Sequence, residues 1–230
     1  MKRFMLLLIS LAVSTILFAQ NELALIKSIE AKLEKVKDYT ATGQMKVDVS
    51  FINATPSNVV MYYKAPNQFT VKKEGGISIL PKGGVSVNLN ALLVGDDYAV
   101  VPAGTAVVKG QTLKVVKLLP NSGDGNVVLT TFYIDEKALL IRKTSVTTRQ
   151  SGSYDIEMDY GKFAPWGLPD KMIFLFSTKD YKLPKGVTFE YEKGGQKPKT
   201  VKDDMGKVEI TYNNYVINKG VSNKVFVTGK

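Results

Sequence analysis

The apolar and polar positions change period once, near residue 40. Between Glu22 and Tyr39, Leu25 or Ile26, Ile29, Leu33 and Val36 recur at spacings of three and four, which predicts a helix with one apolar face. From Gln44 the period is two. Met45, Val47, Val49 and Phe51 alternate with Gln44, Lys46, Asp48 and Ser50; a second run, Asn58 to Lys64, is closed by Ala65-Pro66-Asn67-Gln68-Phe69. A one-sided helix feeding a one-sided sheet predicts that the two apolar faces cover each other.

Almost every later segment reads as strand. Runs at 77–80, 85–89, 98–101, 113–119, 127–135, 138–149, 154–160, 171–176, 187–192, 207–212 and 225–227 are separated by turns rich in Gly, Pro and Asn, and Pro102-Ala103-Gly104 breaks one of them. Asn90 to Val94 reads equally as strand or as a short helical lid piece. The clearest alternation sets Tyr154, Ile156, Met158 and Tyr160 against Asp155, Glu157 and Asp159. Lys171 to Phe176 is apolar on both sides, and Phe174 rather than Ile173 is assigned inward. No repeat or linker divides the chain. The pattern is mainly β with α: a strongly curved antiparallel sheet, an unclosed barrel, with the N-terminal amphipathic helix as its filler. Spacing alone leaves a closed barrel or a sandwich open.

Composition narrows the chemistry. Met1-Lys2-Arg3, an uncharged run from Phe4 to Phe18 and the small Ala19 predict a secretory signal peptide over residues 1–19, leaving 20–230 as a single exported, soluble domain. The run is short for a membrane span. The 230 residues include no Cys and no His, so disulfides, thiol nucleophiles, soft metal ligands and the commonest general base are all missing. Only Ser–Lys or paired-carboxylate catalysis remains, and Asp155, Glu157 and Asp159 sit on the wet side of a strand, away from any pocket that would shift their pKa. No phosphate-binding glycine motif occurs. The expectation is no enzyme, no cofactor and no metal.

The formal net charge is +10, and beyond residue 19 it is carried by Lys except for Arg142 and Arg149. Such a field suits solubility or an anionic membrane surface; export argues against nucleic acid. Met45, Met61, Met158 and Met172 fall on inward positions, where unbranched thioethers fill irregular gaps in a core or around a variable apolar guest.

Five stretches stand in a telling order: Leu33-Glu34-Lys35-Val36-Lys37-Asp38-Tyr39, Lys64-Ala65-Pro66-Asn67-Gln68-Phe69, Phe132-Tyr133-Ile134-Asp135 with Leu139 to Arg142, Leu168-Pro169-Asp170-Lys171-Met172, and Val208 to Tyr212 followed by Asn214-Tyr215, Asn218 and Phe226. Together they resemble the periplasmic lipoprotein carrier family, LolA and its LolA-like relatives. The resemblance implies an unclosed barrel with a helical lid over a hydrophobic cavity. It implies a periplasmic monomer that carries lipoprotein acyl chains or lipid from an inner-membrane donor to an outer-membrane acceptor. On this chain the cavity residues are Met45, Val47, Val49, Phe51, Met61, Tyr63, Ile156, Met158 and Phe174, and the lid residues are Leu25, Ile29, Leu33 and Val36. Ala65 stands where the carrier has the Arg that bonds its lid, which favours a LolA-like relative over the carrier itself. The alternative is a sensor or interaction module of the same fold that binds a membrane-protein partner.

Overall fold

The protein's structure, a computed structural model, describes residues 21–49, 52–53, 56–73, 97–122, 125–150, 152–177 and 205–226. The first element is a helix, α1, over residues 21–33. Its buried positions are Glu22, Ile26, Ile29, Leu33 and, one turn beyond, Val36, a stripe at spacings of four and three. The sequence pattern carried the helix to Tyr39, which is a correction: it stops at 33. The Val36 N–H turns back to the Leu33 carbonyl (3.0 Å), and Asn218 Oδ1 accepts from the Lys37 N–H at 2.7 Å. With those groups satisfied outside the helix, the chain enters β1 at Asp38.

Eleven strands follow among the described residues: β1 (Asp38–Val49), β2 (Ile52–Asn53), β3 (Ser57–Lys64), β4 (Gln68–Lys73), β5 (Tyr98–Val108), β6 (Gln111–Pro120), β7 (Val127–Asp135), β8 (Leu140–Thr148), β9 (Ser153–Asp159), β10 (Lys171–Ser177) and β11 (Met205–Ile217). They form one sheet in the order β4-β3-β1-β11-β10-β9-β8-β7-β6-β5, with β2 paired to β1 off that path. Every pairing is antiparallel. β4 was not foreseen as a strand; it is short, and only Val71 in it is fully buried.

Two further expectations are overturned. β5 runs straight through Pro102 and Gly104, with a register shift between Pro102 and Thr105. Among the described strands β5 is last in the order, so the missing N–H of Pro102 breaks no bond to a described neighbour on that side, and the bulge absorbs the glycine at φ 73°. Val225 does not begin a strand; Asn223–Phe226 is a 3-10 turn packed near β4. The expected runs at 77–80, 85–89, 90–94 and 187–192, and the signal peptide at 1–19, lie outside the described residues.

Among the described residues the sheet does not close into a barrel, but it is bent. Six strand spacings separate β11 from β5, about 29 Å if flat. Yet Glu30 on α1 accepts from Tyr98 Oη on β5 at 2.6 Å, while five residues later the Lys35 carbonyl accepts from Asn218 just past β11 (2.8 Å). One short helix touches both only if the sheet wraps towards it. The close β1–β11 approach has a sequence cause: a Cβ on Gly43 would collide with the Thr211 carbonyl oxygen, so the bulge at Thr42/Gly43 requires glycine.

Candidate functional site: the sheet face beneath the helix

Strand register aligns the inward side chains in rows. The central row crosses seven strands as Val116, Phe132, Thr144, Ile156, Phe174, Val208 and Val47. Beside it runs Met158, Met172, Ile210 and Met45. Further towards the β1–β11 junction come Tyr215, Ala41, Met61 and Val71, then Tyr39, Tyr63 and Phe69. The face is therefore aliphatic and thioether-rich in its middle and aromatic at one side.

α1 lays Ile26, Ile29, Leu33 and Val36 on this face, and all four join the same buried cluster as the rows. Of the expected cavity residues, Met45, Met61, Tyr63, Ile156, Met158 and Phe174 are buried in that cluster, and Val47 packs against it half-buried. The Val49 side chain and Phe51 lie outside the described part. Of the expected lid residues, Ile29, Leu33 and Val36 are buried, but Leu25 is only half-buried at the flank. The stripe runs through Ile26 instead, because spacings of three and four counted back from Leu33 reach 29 and then 26. Phe174, not Ile173, faces the cluster.

Sequence reasoning missed the polar groups that hold α1 down. Glu22, 2% exposed, occupies an apolar-stripe position and bonds Lys114 Nζ on β6 at 2.7 Å; its other oxygen, Oε2, has no partner. That hydrogen bond raises the Lys114 pKa against the opposing effect of burial. Lys32 Nζ donates to the Ala138 carbonyl in the β7–β8 turn (2.8 Å). Burial, and then the like charge of Lys35, lower its pKa. Tyr98 and Asn218 complete the set. The one sequence signal was Glu22 itself, an acid standing four residues before Ile26.

Past β9 the chain makes a 3-10 turn, Ala164–Trp166, ended by Gly167 at φ 70°. A Cβ there would meet Leu33 Cδ2 at 2.8 Å, so this glycine both turns left-handed and lets α1 approach. Phe163 from the same loop meets Tyr215 edge-on with ring centres 4.7 Å apart. Tyr212 stacks on Tyr215 at 5.0 Å, and Tyr39 lies 5.2 Å from Tyr215 and 5.3 Å from Tyr63. Burial, first, and the neighbouring hydroxyls push the Tyr39 and Tyr215 pKa values well up. In the central row, Thr144 is completely buried and its Oγ1 has no hydrogen-bond partner.

The opposite face of the sheet is charged and ion-paired. Lys109 reaches Glu157 (3.2 Å) and Asp159 (3.1 Å), Lys143 reaches Asp155 (2.8 Å), and Glu209 accepts from Lys171 and Lys207. Those two lysines hold the Glu209 carboxyl down at about 2. The carboxylates of β9 thus serve as ion-pair partners. Among the described residues no group of three or more potential ligands could hold a metal ion, and no helix is long and apolar enough to cross a membrane.

No family model and no curated protein matches this sequence. Solved structures do match the fold. An outer membrane lipoprotein-sorting protein domain from Vibrio parahaemolyticus superposes with a TM-score of 0.60 at 10% identity, covering 90% of this chain and 97% of that one. A DUF1329 family protein from Desulfovibrio piger gives 0.55 at 10% identity, over 91% and 97% of the two chains. A LolA superfamily protein from Nitrosomonas europaea gives 0.52 at 9% identity, over 88% and 97%. The unclosed antiparallel sheet with one helix laid across it is a LolA-like fold. At these identities the likeness is one of fold.

Proposed function

We propose that the protein is a non-enzymatic carrier that holds acyl chains of lipoproteins or lipids between α1 and the sheet face it covers. In this reading residues 1–19 are removed on export, and 20–230 form one monomeric periplasmic domain that accepts cargo at the inner membrane and delivers it towards the outer membrane. The observation that carries the proposal is the seating of the Ile26–Ile29–Leu33–Val36 stripe on rows that contain Met45, Met61, Met158 and Met172. A thioether-rich face under a helix held at its ends by a few polar bonds is a surface that repacks around a guest. The unpartnered Thr144 hydroxyl offers such a guest one hydrogen bond, suited to an ester carbonyl. The fold's likeness to a lipoprotein-sorting domain supports the same reading.

Ala65, where a carrier arginine would stand, is exposed and donates its backbone N–H to the Lys37 carbonyl at 2.8 Å. Retention of α1 falls instead to Glu22, Glu30, Lys32 and Asn218. A sixteen-carbon chain gains about 12 kcal/mol on leaving water, at about 0.8 kcal/mol per CH₂, and a bilayer offers it nearly as much. Uptake is therefore close to neutral, and the direction of transfer comes from helix displacement or from a tighter acceptor. The test is uptake of a fluorescent fatty acid by delipidated protein, with mass spectrometry of organic extracts from protein purified out of its native compartment. Saturable uptake and co-purified acyl species are expected. No uptake at any concentration below probe aggregation, together with empty extracts, overturns the reading.

A further inference from the structure

We infer that the end of the molecule where α1 runs into β1 docks on an anionic bilayer surface. Five lysines converge there from three separate parts of the chain: Lys35 and Lys37 after α1, Lys64 at the end of β3, and Lys219 and Lys224 after β11. Hydrogen bonds fix their proximity. Asn218 accepts from the Lys37 N–H (2.7 Å) and donates to the Lys35 carbonyl (2.8 Å). The Ala65 N–H, next to Lys64, bonds the Lys37 carbonyl, and Lys64 Nζ bonds Asn223 Oδ1 at 2.6 Å.

None of these five makes an ion pair among the described residues, whereas Lys109, Lys143, Lys171 and Lys207 on the far face all do. The nearby acids are Glu34 and Asp38, and Asp38 is turned onto the Gly220 N–H. The negative end of the helix dipole accounts for Lys35 and Lys37; it does not account for three lysines contributed by β3 and the segment after β11.

The chain's single tryptophan lies in the turn that packs on the last turn of α1, from which Lys35 and Lys37 follow. Trp166 is 37% exposed in the turn that Gly167 presses against Leu33 of α1 and that Tyr215 Oη ties to β11 through the Pro169 carbonyl (2.8 Å). An amphipathic indole on the same end of α1 as ammonium groups that carry no carboxylate partner among the described residues fits the headgroup level of a membrane. Lysine ammonium groups are compact, hydrated point charges on flexible stems, suited to a field of anionic headgroups, whereas forked recognition of a protein carboxylate favours arginine. This docking is independent of acyl-chain binding, although it would bring the end of α1 to the bilayer that holds a cargo.

The test is co-sedimentation of the purified protein with phosphatidylcholine vesicles, with and without phosphatidylglycerol, at low and high salt, while Trp166 emission is followed. Expected are binding to the anionic vesicles only, a blue shift of Trp166 on binding, and loss of both in high salt. At about fivefold per lysine, K35Q/K219Q/K224Q weakens binding about a hundredfold. K46Q/K73Q/K117Q removes the same charge elsewhere and weakens it by less than about tenfold. Equal weakening by the two variants, equal binding to neutral vesicles, an unmoved Trp166 emission or no binding at all overturns the inference. So does preferential capture of an acidic protein. Fatty-acid uptake measured on the same samples separates a failure here from a failure of the carrier reading.

Discussion

At Glu22 the apolar stripe of α1 carries a carboxylate, with its charge compensated by Lys114 alone among the described residues. Removing one partner of such a pair strands the other. Lys114→Met is expected to destabilise the protein by about 1–3 kcal/mol, since the Lys114 side chain stays 24% exposed, and the double variant Glu22→Gln, Lys114→Met to recover most of it; urea titrations of the three proteins check this cycle. Thr144 gives a sharper readout of the site. Replacing its unsatisfied buried hydroxyl by an isosteric methyl, Thr144→Val, is expected to stabilise the lipid-free protein by about 1 kcal/mol. It should also weaken uptake of an esterified probe more than uptake of a plain hydrocarbon one. Comparing melting temperature and probe affinity on the same variant tests both halves.

Among the elements, α1 depends most on residues distant in sequence. Among the described residues Asn218 satisfies both the Lys37 N–H and the Lys35 carbonyl, from a left-handed conformation at φ 56°. Asn218→Ala is expected to cost about 1–2 kcal/mol and to raise amide exchange first in the last turn of α1; Asn218→Gly, which keeps the backbone freedom, isolates the side-chain share. The stripe on α1 and the alternations of β1, β3, β9 and β10 were legible because burial on one side writes a period into neighbouring residues. Phe174 and the four methionines were placed by the same rule. The run of β5 through Pro102 was not, because the last of the described strands tolerates what a central one forbids, and a sequence does not say which strand that is. The bonds from Lys114, Ala138 and Asn218 to α1 were equally hidden: each joins residues about a hundred or more positions apart, and no local pattern carries them.

For the whole molecule, the buried tyrosines set an alkaline limit. Tyr39, Tyr212 and Tyr215 are held protonated far above the ordinary value of 10.0, chiefly by burial. In the unfolded chain they ionise near that value, so their contribution to stability should stay level below pH 10 and fall steadily above it. Tyrosinate absorbance from these rings is expected to rise together with loss of the far-ultraviolet β signal, and to precede it only for exposed rings. The pairing of β1 with β11, Tyr39 opposite Ile217, carries a different consequence, one of timing. Synthesis delivers α1 and β1 early, yet the partner strand that flanks them and the asparagine that ties the helix down emerge some 180 residues later. Through that interval the greasy stripe has no finished seat, so nascent chains are expected to aggregate more readily than the finished protein. Truncation anywhere before residue 205 should leave that exposure permanent.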